Sequence, residues 1–246
     1  MSKNHNDLMP HSNTEATTTN GQMLQLLHIL DSAFPIGGYT HSFGMETFIQ
    51  DEAITNEHEL VEYLSSYLTN SVATGDALFV QEAYQRASKS ELEQLIELDR
   101  RCHAFKITEE ARKGSAMMGR QFIKTVTPLH DDAQFVAFRE RLKQKQIDGH
   151  YPVVFGMYTS LLGVSIDVAI STFLYSSMNS LITNAVRAIP LGQQAGVRTV
   201  HAMFPLIYEL TTRVQNQSID DIANNALLID ISSMNHQFLR SRLFIS

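Results

Sequence analysis

Apolar residues recur at helical spacing along most of the chain, and the longest such segment runs from Val168 to Val186 without an ionisable acid or base. One face of this predicted helix is apolar. The other is polar but uncharged, whereas a water-facing helix usually carries Lys and Glu. We therefore predict a central helix that is enclosed on both sides. The apolar face comprises Ile170, Leu174, Met178, Leu181 and Ala185, and the polar face comprises Thr172, Ser176, Asn179, Ser180 and Thr183.

Charge and proline mark the ends of this central helix. Asp167 stands at its start and Arg187 near its end, which is the order that the helix dipole favours. Pro190 disfavours helical geometry at the residue before it, so the helix should stop there. A second amphipathic helix through residues 197–207 is predicted to fold back, with a bend at Pro205. The pattern predicts a central helical hairpin.

Other segments of the chain also show helical periodicity and helix start signals. Helices are predicted at about 23–30, 40–50, 56–74, 78–87, 88–98, 108–125, 131–146 and 218–231, with capping boxes at Asn56/Glu59, Ser88/Glu91 and Ser218/Asp221 and a cap at Thr108. No stretch alternates with period two, so no sheet is expected. We predict an all-α fold, a single helical-bundle domain of about ten helices over residues 23–231. It would be flanked by a disordered N-terminal tail, 1–22, and a flexible partner-binding tail, 232–246.

Composition indicates the cellular compartment and argues against some classes of partner. The 246-residue chain has 43% apolar residues, enough for a buried core, and its single Cys102 permits no internal disulfide. A reducing, cytoplasmic location is expected. The formal net charge of −7 comes with no basic block, which argues against nucleic acid and anionic membrane as main partners.

One stretch needs a membrane check, because only Asp167 is charged between Tyr151 and Tyr175. Gly163 and Ser165 predict a turn and a helix start in its middle, which leaves two pieces that are each too short to cross a bilayer. The first twenty-two residues have neither a basic start nor an apolar core, so no signal peptide or membrane anchor is expected.

Motifs that would indicate catalysis are absent from the sequence. There is no phosphate-binding Gly-rich loop followed by Lys-Ser or Lys-Thr, no His-Glu-x-x-His, no Cys-x-x-Cys and no nucleophile elbow. No enzyme activity and no cofactor are therefore predicted. The rival hypothesis is a helical metal-handling protein or enzyme that uses His28 and His41, which lie near the Gly37-Gly38 turn. No spaced set of several convergent metal donors accompanies these two histidines.

Four stretches, spread in order along the chain, resemble the urease accessory protein UreF family. They are Asp31-Ser-Ala-Phe-Pro-Ile-Gly-Gly-Tyr-Thr-His-Ser-Phe-Gly-Met-Glu46, Gly149-His-Tyr-Pro-Val-Val-Phe155, Asn184-Ala-Val-Arg-Ala-Ile-Pro-Leu-Gly-Gln193 and Ser241-Arg-Leu-Phe244. The resemblance implies an all-helical, homodimeric, non-catalytic cytoplasmic protein. Such a protein would bind the UreD/UreH-type accessory protein and recruit the UreG-type GTPase to apo-urease for nickel insertion.

The resemblance also implies that Tyr39, Tyr175 and Arg242 lie at protein contacts. His41 is predicted to be structural or a partner contact. The remaining candidate partner-binding residues are Arg187, Arg240, Leu243 and Phe244, and no metal ligand or catalytic residue is assigned. In the tail, apolar and Arg side chains together are typical of interface anchors. The family pattern in the tail is usually Arg or Gln, then His-Glu, then Tyr-Ser-Arg-Leu, and this chain departs from it with Asn235, His236, Gln237 and Arg240.

Overall fold

The computed structural model describes residues 18–37, 41–238 and 243–244. In these ranges the chain forms helices, turns and loops without a strand, which confirms the all-α prediction. The α-helices are α1 (Asn20–Leu30), α2 (Met45–Gln50), α3 (Glu57–Tyr67), α4 (Ala77–Ser88), α5 (Leu92–Phe105), α6 (Glu109–Val126), α7 (Ala133–Lys143), α8 (Tyr151–Leu161), α9 (Ile166–Ala188), α10 (Gln193–Ala202), α11 (Phe204–Gln215) and α12 (Leu227–Asn235). A π-helical segment, Leu68–Asp76, joins α3 to α4, and 3-10 turns cover Thr127–Leu129, Ile219–Asp221 and His236–Phe238.

The core is built around the pair α4 and α8. Every residue of α8 from Tyr151 to Thr159 is buried. A Cβ added at Gly156 would lie 2.3 Å from the Val80 carbonyl oxygen, so the two backbones touch at this point. Helix α9 packs against both of them and against α10 and α11.

The predicted central helix is confirmed as α9, and the predicted apolar face is buried. The polar face is half-buried, not enclosed as expected. Several of its hydroxyls donate to carbonyls one turn earlier in the same helix, as Thr172 Oγ1 does to Val168 O at 2.6 Å and Thr183 Oγ1 to Asn179 O at 2.8 Å. Such bonds satisfy a Ser or Thr without a partner element, which is why an uncharged face did not require full burial.

The apolar stretch from Tyr151 to Tyr175 is divided between α8 and α9, as predicted. Gly163 lies between them with φ of +69°, a conformation that glycine adopts without strain. Within the described ranges, no helix combines the length and apolar character needed to cross a bilayer.

Two predicted helix starts are wrong. The Ser218/Asp221 capping box is present, but it closes only a 3-10 turn, and the last α-helix begins six residues later at Leu227. Ser88 is the last residue of α4, and α5 begins after Glu91 without a side-chain cap. At both places the local capping sequence favoured a helix start, but the tertiary structure does not have a helix beginning there.

Two predicted interruptions also differ from the structure. A helix end was expected just before Gly75, but the chain stays helical there. The missing side chain of Gly75 makes room for the Phe105 ring, whose nearest carbon would lie 2.7 Å from an added Cβ. Pro205 lies in the first turn of α11, where a proline costs no hydrogen bond, so it starts a helix instead of bending one.

Candidate partner-docking surface

Helix α12 has two faces of different character. Ile229, Ser233 and the following His236 are buried against the body of the protein. On the opposite face Leu227, Leu228, Ile231 and Met234 are exposed, and so are Phe238 in the following 3-10 turn and Leu243 near the end of the sequence; we call these six apolar side chains the α12 surface. Contiguous apolar side chains exposed on one face are a typical feature of protein interaction sites.

A single buried carboxylate holds the C-terminal segment in place. Glu46, at the start of α2, is 2% exposed. Its carboxylate accepts a hydrogen bond from His236 Nε2 at 2.7 Å and from the backbone N–H groups of Leu243 at 2.7 Å and Phe244 at 3.3 Å. Such charge-assisted bonds are stronger than neutral ones. The described part of the tail, residues 232–238 and 243–244, therefore contacts the body of the protein through Glu46.

The contact between α2 and α12 is close. A Cβ added at Gly44, whose φ is +87°, would lie 2.9 Å from the Ile229 carbonyl oxygen. Thr47 Oγ1 donates to Ser232 O at 3.0 Å, and Ser233 Oγ donates to Glu110 on α6 at 3.5 Å. Polar and backbone contacts thus orient α12 so that its apolar face points outward.

Helix α6 contacts two of the four motif stretches, the first through His41 and the second through Gly149 and His150. Gly114 lies against the His41 ring, whose nearest atom would be 3.2 Å from an added Cβ. Gly119 lies directly against the Gly149 carbonyl. Between them, Ser115 Oγ is 3.2 Å from His150 Nδ1. The small residues Gly114, Ser115 and Gly119 thus permit close contact between α6 and its neighbours.

The candidate residues from the sequence fall into different environments. His41 is 1% exposed and Phe244 is also buried, so neither can touch a partner without a local rearrangement. Burial lowers the pKa of His41, and its carbonyl accepts a hydrogen bond from Asn184 Nδ2 at 2.9 Å. These contacts support the structural role for His41. Tyr175 is half-buried, whereas Arg187 and Leu243 are exposed. Tyr39, Arg240 and Arg242 lie outside the described residues.

Sequence reasoning missed Glu46 and most of the α12 surface. The apolar residues at 227, 228, 231, 234 and 238 follow a helical period that the assumed helix end near Ile231 concealed. Nothing local marks Glu46, because its partners lie at the other end of the chain. A site that uses His28 and His41 as metal ligands gains no support, since neither belongs to a group of three ligand-type side chains in the described ranges.

Comparison with known proteins decides the family. The family model UreF matches residues 54–204. The urease accessory protein UreF of Sporosarcina pasteurii is 49% identical over 202 residues, which cover 82% of this chain and all of that protein. The chain belongs to the UreF family.

Two more distant UreF proteins cover still more of the chain. The one from Corynebacterium glutamicum (strain R) is 35% identical over 221 residues, 90% of this chain and 96% of its own length. The one from Bacillus sp. (strain TB-90) is 31% identical over 225 residues, 92% and 99% of the two chains. The UreF relatives are named as accessory proteins, so the family is by name non-catalytic.

Proposed function

We propose that this chain is a non-catalytic scaffold in nickel insertion. It binds the UreD/UreH-type accessory protein, and the pair recruits the UreG-type GTPase to apo-urease for assembly of the metallocentre. Family membership supports the accessory role. The observation that carries partner binding is the α12 surface, where six apolar side chains face outward on a segment anchored to the core by Glu46.

The α12 surface suits a protein partner for physical reasons. Four of its six side chains are already ordered on α12, so binding would cost less conformational entropy than ordering a free tail. Arg240 and Arg242, which lie close to Phe238 and Leu243 in the sequence, would add charged anchors. We propose this surface, with the tail 232–246, as the site for the UreD/UreH-type protein.

Other assignments remain part of the proposal. The domain extends over residues 23–231, acts in the cytoplasm and forms a homodimer. The half-buried Tyr175 and the exposed Arg187 on α9, with Tyr39 in the first motif, would contact protein partners.

The experiment is co-expression with the UreD/UreH-type homologue, followed by capture of the complex. Leu228, which is 72% exposed, is changed to Ser. Loss of one well-placed apolar anchor should weaken binding by about tenfold or more, equivalent to about 1.4 kcal/mol. Deleting residues 232–246 would be less informative, because it also removes the packing of Ser233 and His236.

Leu24→Ser is the matched control, because Leu24 on α1 is exposed to a similar degree outside the α12 surface. It should leave the yield of the complex at the wild-type level. Capture of the partner by Leu228→Ser at wild-type yield would exclude the α12 surface as the docking site. Light scattering of this chain, purified without the partner, should return twice its mass of 27.7 kDa, as expected for the proposed homodimer.

A further inference from the structure

Two histidines and an aspartate meet at the end of α5, in a cluster that the proposed partner binding does not use. His103 belongs to the last turn of α5, and Asp148 and His150 belong to the loop before α8. His103 Nδ1 lies 2.8 Å from Asp148 Oδ2 and 3.3 Å from His150 Nε2. The three ligand-type atoms all lie within 4.8 Å of one another.

The separations of 2.8 Å and 3.3 Å from His103 Nδ1 match those between neighbouring ligands of one metal ion. Ligand bonds of about 2.0–2.1 Å place two donors about 3.3 Å apart in a tetrahedron and about 2.9 Å apart at a right angle. Two imidazoles and one carboxylate are a common donor set for Zn²⁺ and Ni²⁺. His103 and Asp148 are each almost half exposed, so water can reach the remaining coordination positions.

The loop that carries two of the donors is rigidly held. Asp99, fully buried on α5, accepts hydrogen bonds from the backbone N–H groups of Asp148 at 2.8 Å, Gly149 at 3.0 Å and His150 at 2.6 Å. Gly149 has φ of +72°, and its carbonyl is pressed against Gly119. The donors are therefore positioned before any ion arrives, which lowers the cost of assembling a site.

The hydrogen bonding of His150 also favours a ligand role. When its Nδ1–H donates to Ser115 Oγ, its Nε2 lone pair faces His103. The bond to Ser115 is then an outer-sphere contact that orients the imidazole toward the ion.

One positively charged side chain of the protein also contacts the Asp148 carboxylate. Arg120 approaches Asp148 Oδ1 at 3.6 Å, while its Nε donates to the Asp148 carbonyl at 3.0 Å. The Asp148 oxygen that faces His103 is Oδ2, so the arginine and the ion would use different oxygens.

We propose that His103, Asp148 and His150 bind one divalent transition-metal ion of the Ni²⁺ or Zn²⁺ class, with water completing the coordination. The proposal rests on this donor set alone and does not depend on the partner-binding function.

Calorimetric titration of the full-length protein with NiCl₂, and separately with ZnCl₂, tests this site. The variants His103→Ala and Asp148→Asn change partly exposed side chains, so the fold should survive, and circular dichroism checks that it does. Wild type should bind an ion that both variants bind at least tenfold more weakly, since changing even an outer-sphere partner typically costs 10- to 100-fold.

The matched control is His58→Ala. His58 and Glu62 form an exposed histidine–carboxylate pair 3.5 Å apart, and no third donor joins them among the described residues. This variant should titrate like wild type. If His103→Ala binds as tightly as wild type, or if His58→Ala weakens binding equally, the three-residue site is wrong.

Discussion

Helices α8 and α12 are both short and rich in apolar residues, yet they have opposite environments. Every side chain from Tyr151 to Thr159 of α8 is buried. On α12 only Ile229 and Ser233 are buried, while its leucines face solvent. The difference lies in what holds each helix. Apolar packing fixes α8, whereas backbone and polar contacts to Gly44, Thr47 and Glu110 fix α12.

Apolar character alone therefore does not decide whether a helix becomes core. Gly156 lets the α4 backbone approach α8, so both sides of α8 can be covered. Helix α12 is held by polar and backbone contacts on one face, and its apolar face stays exposed. The comparison separates a helix that is buried in the core from one that presents an exposed apolar surface, which we propose as a docking site.

The largest expected effect is that of Gly156→Ala on α8. The new methyl group would clash with the backbone of α4, which cannot move away as a flexible side chain could. We expect a loss of about 3 kcal/mol in the free energy of unfolding, measured by urea denaturation. Gly21→Ala on α1 is the control, because its nearest neighbour is 3.9 Å from the added atom, and it should not destabilise. Equal stability of the two variants would contradict the tight contact.

A smaller effect is expected for Glu46→Ala at the anchor of the C-terminal segment. His236 and two backbone N–H groups would lose their acceptor in a buried position. We expect a loss of about 2 kcal/mol and faster proteolysis of the tail. Glu62→Ala removes an exposed carboxylate that also faces a histidine, and it should cost less than about 0.5 kcal/mol. A tail equally resistant in both variants would show that Glu46 is not its anchor.

The smallest effect on stability is expected for Leu228→Ser. Because this side chain is exposed, unfolding should change by no more than about 0.5 kcal/mol. The adjacent Ile229 is 8% exposed, and Ile229→Ser should cost about 2 kcal/mol or more. Thermal unfolding of the two variants measures the difference between the faces of α12. A similar loss in both would mean that the α12 surface is partly core.

Much of the helical framework could be predicted from local patterns. Helix α9 begins and ends where its periodicity, Asp167 and Pro190 indicated, and the Thr108 side chain caps α6 by accepting from Ala111 N. Here propensity, caps and tertiary packing agree. The helix predicted from Ser218 failed because a capping box can close a single turn as well as a helix.

The candidate docking site was only partly predictable. Apolar and basic residues in the tail indicated binding, and the motifs indicated the family. The anchor could not be inferred, because Glu46 and His236 are brought together only by the path of the whole chain. The buried positions of His41 and Phe244 likewise depend on elements far from them in sequence.

The Glu46 anchor also affects the timing of folding on the ribosome. Its carboxylate emerges early, but the His236 side chain that it binds is synthesised 190 residues later. At roughly 5–20 residues per second, this interval is about 10–40 s. During that time the nascent chain has no α12 to cover α2. The α12 surface therefore forms only after residue 227 and those that follow have been synthesised, and a product truncated before Leu227 would lack it.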